Sequence, residues 1–421
     1  MATSPPPPRR GPRSLTPELP YDVMEETFLH LPADDPACLV RAAAGCISCW
    51  RGMVSDPSFA PAYRLRRGAP PMLGFLYDDR PAWEHWVSHF LPTVTSPPLA
   101  ARDRQHWHAL DSRHGLALFY APRSDAHFVV SDLVTGEDWE IRADPKCYDI
   151  MWSNVLLDDL RENEQISCNA AVLCAKDGCD HRDCHGGPFL VALVGCGVEG
   201  GRYMNHAAVY SSVTREWSNV TSVGQEQRNA IDDTGHSAVL GNTVYVPCLE
   251  DDNVVVYNMR ENKLSVIAAP LEVEDQMQQP WLDLMGVEDG MLLFASVVKP
   301  RLYLWSMEDG PKGAAGWARR RVIELGPVLP LPVLEDKSDV SAVGFAEGVG
   351  VIFLKTRVGL YTMELSSEHL QQPRYTPHVK NMFAARASAD ESSSLSSSRI
   401  ASREAPTVLA RSSTASSWEC V

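Results

Sequence analysis

The chain has 421 residues, 44% of them hydrophobic and 22% charged, with a formal net charge of -16. That length exceeds what one small core fills, so two or more domains are expected. An acidic surface of this kind opposes binding to nucleic acid or to an anionic membrane.

The first residues, Met1 to Arg13, carry a proline run from Pro5 to Pro8 and several arginines in place of the apolar core of a secretory signal. No later apolar run approaches the length of a membrane span. The eleven cysteines are an odd number scattered over several segments, and they read as thiols of a reducing compartment. A cytoplasmic or nuclear protein is expected, in which the Asn219-Val220-Thr221 sequon stays unused. Residues 1–14, rich in Pro and Arg, and 384–421, rich in Ser, bury too little to offset their ordering entropy and are expected to be disordered tails.

Helical periodicity is confined to residues 17–56. Met24, Phe28 and Leu31 follow i, i+4, i+7 spacing behind Pro20 and the acidic Asp22, Glu25 and Glu26, which suit a helix N-terminal half. Asp35-Pro36 then caps a second helix with Leu39, Val40, Ala43 and Ala44 on its apolar face and Gly45 at its end. Ile47, Trp50 and Val54 mark a third, which stops at Asp56-Pro57. A module of three short helices sits at the lower limit of independent folding, so its apolar face invites a partner.

After Pro71 the pattern changes to short strands and turns. Val244-Tyr245-Val246 pairs by pattern with Val254-Val255-Val256-Tyr257, Leu292-Leu293-Phe294 with Leu302-Tyr303-Leu304-Trp305, and Val351-Ile352-Phe353-Leu354 with Leu360-Tyr361. Each pair is an expected hairpin, introduced by a turn pair: Gly241-Asn242, Asp289-Gly290 or Glu347-Gly348. The aromatic markers Tyr210, Tyr257, Trp305 and Tyr361 recur at roughly the 40 to 50 residue period of propeller blades. A further unit spans Gly115 to Phe119, Phe128 to Leu133 and Gly136-Glu137-Asp138-Trp139, and another ends at Thr214-Arg215-Glu216-Trp217. About five units fit between 108 and 365, with Met72-Leu73-Gly74-Phe75-Leu76 as the start of a sixth. The fold class expected is α+β multidomain: a helical module over 15–60, a connector or first blade over 61–107, and an all-β domain, a β-propeller or else an irregular sandwich, over 108–380.

The residues from Leu19 to Phe59 carry a resemblance. Leu19-Pro20, Val23, Glu25-Glu26, Phe28-Leu29, Leu31-Pro32, Leu39, Arg41, Ala44, Cys46, Trp50-Arg51, Val54 and Asp56-Pro57-Ser58-Phe59 resemble an F-box in order and spacing. The wider chain, including Pro70-Pro71-Met72-Leu73-Gly74-Phe75, resembles plant F-box proteins with a propeller-like associated domain. The resemblance implies docking on a Skp adaptor, and through it a cullin, by Leu19, Pro20, Phe28, Leu31, Leu39 and Trp50. The remainder of the chain would then hold a substrate protein, with no catalytic residue and no cofactor on this chain. Gly45 and Ser48 depart from the pattern, where a larger apolar residue and a lysine are usual. That departure leaves open a propeller scaffold that binds a protein or sugar ligand without ligase attachment, and a generic three-helix packing module.

Four constellations bear on chemistry. Cys174, Cys179, His181 and Cys184, with Cys168 and His185 nearby, offer thiolate and imidazole ligands suited to zinc. They lack paired Cys-x-x-Cys knuckles and sit among Gly and charged residues, as a thiol-bearing loop does, so no metal is assigned. Gly195, Gly197 and Gly200 spell G-x-G-x-x-G, but the residues after them favour a strand over the helix a dinucleotide site needs, so a hairpin turn is expected. Gly235-His236-Ser237-Ala238-Val239 has Val239 where a nucleophile elbow requires glycine. Asp232-Asp233 and Glu250-Asp251-Asp252 sit at expected turns, either simply solvated or selecting a basic substrate.

Overall fold

The computed structural model describes Val23 and Glu26, both helical, and then residues 72–79, 86–92, 102–121, 128–133, 136–144, 147, 168–176, 187–199, 202–225, 230–232, 235–249, 253–270, 282–298, 300–309, 315–329, 340–356, 359–371 and 382–386. From residue 72 onward, runs of β-branched and aromatic residues alternate with Gly, Asn and Asp turns, and they fold as strands. The three helices expected over 17–56 lie outside the described residues except at Val23 and Glu26. What is described from residue 72 onward is therefore all-β, not the mixture expected for the whole chain.

The first sheet begins with β1 (Met72–Asp79), β2 (Val87–Pro92) and β3 (Arg104–Gln105). The second holds β4 (His108–Arg113), β5 (Leu116–Tyr120), β6 (Phe128–Asp132) and β7 (Asp138–Ile141). The third holds β8 (Cys168–Cys174), β9 (Phe189–Glu199) and β10 (Arg202–Ser211), with β11 (Glu216–Trp217) and β12 (Thr221–Gln225) both paired to β10. The fourth is β13 (Ala238–Leu240), β14 (Thr243–Pro247), β15 (Asn253–Asn258) and β16 (Lys263–Ala268). The fifth is β17 (Leu282–Glu288), β18 (Met291–Val298), β19 (Arg301–Asp309) and β20 (Ala315–Glu324). The sixth is β21 (Ser341–Ala346), β22 (Val351–Thr356), β23 (Gly359–Glu364) and β24 (His369–Gln371).

A last strand, β25 (Met382–Arg386), pairs antiparallel with β1 and completes the first sheet in the order β25-β1-β2-β3. The strands β25, β4, β8, β13, β17 and β21 pack each against the next, and β21 returns to β25, so they close a ring. Six antiparallel sheets, five of four strands and one of five, around a ring of inner strands make a six-bladed β-propeller. The irregular sandwich is ruled out, because a sandwich would join these strands into two facing sheets.

Side-chain alternation explains why the blades stack. Along β8, Ala170 and Val172 pack toward blade 2 while Ala171 and Leu173 pack toward blade 4. Along β17, Leu284 faces blade 4 and Met285 faces blade 6. One apolar cluster fills each of the six inter-blade gaps. A strand apolar on both faces is what stacking on two neighbours demands, and each fully buried Val, Leu or Phe contributes about 1.5–3 kcal/mol. The markers Tyr210, Tyr257, Trp305 and Tyr361 all lie on third strands, which is why their spacing reports the blade repeat.

The inner hairpins turn on residues that tolerate positive φ: His114 and Gly115 between β4 and β5, and Asp289 and Gly290 between β17 and β18. Ring closure depends on one more glycine. Gly344 on β21 lies so close to the Met382 carbonyl of β25 that a Cβ there would collide with backbone.

Candidate functional site

The inner strands line the axis of the propeller, and three of them carry a bulge at a matching point. Pairing slips between Ala109 and Asp111, between Leu284 and Gly286, and between Ala342 and Gly344. A bulge re-aims the side chains beyond it. In blade 2 those are Asp111 and Arg113, two apart on one strand and therefore on one face.

Arg113 is the hub of the axis. Its Nε donates to Asp111 Oδ2 at 3.0 Å, its Nη1 to both Glu347 oxygens at 3.0 Å, and its Nη2 to the Ser237 carbonyl. Asp111 also accepts from the Val172 amide at 2.9 Å, and Glu347 Oε1 from the Val287 amide at 2.9 Å. Blade 2 is thereby tied to blades 3, 4, 5 and 6 through one guanidinium. Gly286, at φ 142°, leaves the room that the Glu347 carboxylate fills. Burial alone would lower the Arg113 pKa, but Asp111 and Glu347 outweigh it and hold the guanidinium above its ordinary value. Burial raises the Asp111 pKa, against the pull of Arg113 and of the Val172 amide. A guanidinium with this many donors already committed is a structural tie, with little left to offer a substrate.

His236 crosses from the segment leading into β13. Its Nε2 lies 2.9 Å from the Val343 carbonyl of blade 6, and its ring meets Phe383 of β25 edge-on at 4.7 Å between centroids. Since a carbonyl only accepts, Nε2 carries the proton. Burial lowers the pKa of the ring, chiefly by desolvation and against the Val343 bond, which favours the neutral imidazole. Asn169 of β8 donates Nδ2 to the carbonyls of Asp232 at 2.9 Å and Gly235 at 2.7 Å. Asp283, near the start of β17, has its pKa pushed up to about 7 by burial, with the like charge of Asp232 adding to it.

Two further features lie off the axis. At the junction of blades 1 and 2, His108 Nδ1 sits 2.7 Å from Asp78 Oδ2, Asp78 also accepts from the Ala109 amide, and Trp86 stacks on His108 at 4.4 Å. Between blades 3 and 4 an open cleft of about 760 Å³ is lined by Leu190, Val209, Asn219, Tyr257, Arg260 and Asn262. Burial raises Tyr257 to about 12, so its hydroxyl stays protonated and donates to Asn262 Oδ1 at 2.8 Å.

The residues singled out in the sequence fare unevenly. Leu19, Pro20, Phe28, Leu31, Leu39 and Trp50 lie outside the described residues, as do Cys179, His181, Cys184 and the Glu250-Asp251-Asp252 run. Cys174 ends β8, and its sulfur accepts from the Lys176 amide at 3.4 Å. Among the described residues no group of three His, Cys, Asp or Glu is placed to hold a metal. Gly195 and Gly197 lie inside β9, paired with Cys168 and with His206 and Met204, so they belong to a central strand and not to a turn. No strand-to-helix turn surrounds His236 and Ser237, which run straight into β13. The Arg113 hub was missed because Glu347 is 234 positions away. The one local signal was an Asp-x-Arg pair on a strand face.

The fold and axis define a propeller in which Arg113, Asp111, Glu347 and His236 bond to one another or to backbone groups of neighbouring blades. No family model matches the chain, and no curated protein matches it. Among solved structures, the dihydro-heme d1 dehydrogenase NirN in complex with DHE aligns over 86% of this chain and 62% of its own, at 14% identity and a TM-score of 0.33. HIRA(644-1017) aligns over 48% of this chain and 52% of its own, at 14% identity and a TM-score of 0.24. The chain thus spans about half to three fifths of the length of these two structures. Likenesses of this degree say nothing about what the chain binds. Among the described residues no helix is long and apolar enough to cross a membrane.

Proposed function

We propose that this chain is the substrate-receiving subunit of a Skp-cullin-F-box type ubiquitin ligase. Residues 15–60 attach it to the Skp adaptor, and through the adaptor to a cullin, while the propeller holds a target protein. The observation that carries the reading is the closed ring, in which Arg113, Asp111, Glu347 and His236 all bond within the protein. A rigid body with its axial groups committed leaves blade edges and loops as its recognition surface, which suits a protein partner. The F-box-like order from Leu19 to Phe59 stands directly before β1 and supplies the attachment. Ubiquitin transfer then needs no reactive group on this chain, because holding the substrate beside the transferring enzyme raises its effective concentration.

The test is co-purification of the intact chain with a Skp adaptor. Stoichiometric capture by the wild type is expected, with loss on combining Leu31→Asp and Trp50→Ala and no change in the propeller's melting temperature. An adaptor that ignores the intact chain, or that binds the double variant equally well, refutes ligase attachment.

A further inference from the structure

We infer that the open cleft between blades 3 and 4 is a docking site for an extended acidic peptide, which seats an apolar side chain on the cleft floor and a carboxylate on Arg260. The inference deepens the receptor half of the proposed function and rests on the propeller holding a target protein. Burial divides the lining into two parts. Leu190, Val209 and Met259 are half-buried and Tyr257 is buried, so the floor is apolar. Asn219, Asn242, Arg260 and Asn262 are exposed and form a polar rim.

Both walls are held by bonds within the chain. On the blade 3 side the outer strand breaks between β11 and β12. There the Ser218 amide donates to the Val209 carbonyl at 2.7 Å, the Val209 amide donates to Ser218 Oγ at 3.0 Å, and Asn219 stands in the break. On the blade 4 side the Met259 amide donates to the Asn242 carbonyl at 2.9 Å, which ties the β13–β14 turn to the β15–β16 turn. The Glu261 amide donates to Asn258 Oδ1 at 3.0 Å and fixes the second of these turns. The Tyr257 hydroxyl occupies Asn262 Oδ1, so Nδ2 is the donor end that Asn262 offers a ligand.

Among the described residues no acidic side chain lines the cleft, Glu261 of the same turn lies outside the lining, and Arg260 makes no ion pair. On a chain of net charge -16, such a guanidinium beside an amide donor selects a carboxylate, which it binds through two parallel N–H bonds. A phosphate monoester is recognised by a cluster of arginines, and Arg260 is the single cation among the described lining residues. A sugar brings hydroxyl donors, for which the rim has no carboxylate, and Tyr257 at 1% exposure has no ring face to stack on it. A small molecule needs enclosure on most sides, whereas a segment of a larger protein needs cover on one side only, as an open cleft gives.

The test uses the full chain without adaptor, so its failure and a failure of adaptor capture are separate results. The chain is applied to an array of short immobilised peptides, each with one Asp or Glu among apolar residues drawn in all combinations. Matched copies carry Asn, Gln, Lys or phosphoserine at that position. Wild type should retain the acidic members about tenfold or more over their amide copies, the factor of one charge-assisted contact. Arg260→Ala should abolish that preference and Arg260→Glu should shift it to the Lys copies, both at an unchanged melting temperature because the side chain is exposed. Asn262→Ala should weaken retention while keeping the acidic preference. Arg202→Ala, exposed at the far end of β10, should change neither. The site is overturned by a wild type without acidic preference, by a preference that survives Arg260→Ala or Arg260→Glu, by an equal loss in Arg202→Ala, or by stronger retention of the phosphoserine copies.

Discussion

Replacing Arg113 by Met tests whether the axis is held by charge or only by packing. The side chain is 11% exposed and its partner Asp111 is 3% exposed, so deletion strands a buried carboxylate with only the Val172 and Ser112 amides left to it. Breaking a buried pair from one side costs about 3–5 kcal/mol. Glu347 adds less, since at 35% exposure water already screens it. For a large single domain each kcal/mol moves the melting temperature by about 2 °C, so a fall of roughly 6–10 °C is expected. Urea denaturation should give a lower midpoint with an unchanged slope, because the surface exposed on unfolding stays the same. Adding Asp111→Asn to Arg113→Met should restore part of the loss, as the stranded group no longer carries charge. Arg113→Lys should behave much like Met, because one ammonium cannot reach Asp111, Glu347 and the Ser237 carbonyl together. A loss under about 1 kcal/mol for Arg113→Met, or wild-type stability in Arg113→Lys, would refute a charge-held axis.

Three other outcomes follow from the same structure. Phe383→Ala removes a 5%-exposed ring from the closing strand and should cost about 3–5 kcal/mol by calorimetry, and a chain ending at residue 380 should lose cooperative unfolding altogether. Gly344→Val should destabilise by about 1–3 kcal/mol or more, since the obstacle is the backbone carbonyl of Met382, which cannot swing aside as a side chain would. Asp283 titrates higher in the folded chain, at about 7, than its ordinary 3.8, so the folded state holds more protons between those values. Stability should therefore fall as pH rises from about 4 to 7. Asp283→Asn should remove that slope and be the more stable protein at pH 8, by at most about 4 kcal/mol at 1.36 kcal/mol per pKa unit. Equal urea midpoints at pH 8 would count against the burial of Asp283.

The blades were legible because a blade is a local object. The second and third strands of a meander are neighbours in sequence, and their apolar runs, with Tyr257, Trp305 and Tyr361 at corresponding places, mark a period that needs no long-range contact. The turn pairs Asp289-Gly290 and Gly241-Asn242 were equally plain, since positive φ selects for glycine and its polar neighbours. What stayed hidden was whatever joins distant blades. Met382-Phe383-Ala384-Ala385-Arg386 is a short apolar patch at the border of a Ser-rich tail, and nothing nearby says that its partner is β1, at the other end of the propeller. The Arg113 hub is obscure for the same reason: Asp111, Ser237 and Glu347 come from three blades, and each alone reads as an ordinary polar residue of a strand or turn. His236 attracted notice as half of a failed catalytic motif, and its role across the axis could be seen only in three dimensions.

Closure by β25 also sets a clock on synthesis. The inner edge of β1 leaves the ribosome early, and its partner strand is made roughly three hundred residues later. At about 5–20 residues per second, that edge waits for roughly 15 to 60 seconds with its amides and carbonyls unpaired. During that interval the nascent chain is an incomplete circle with one sticky side, the kind of edge that recruits a stray strand from another chain. Newly made copies should therefore depend on holding chaperones far more than finished ones do, and a ribosome stalled anywhere before residue 382 leaves a molecule that cannot lock.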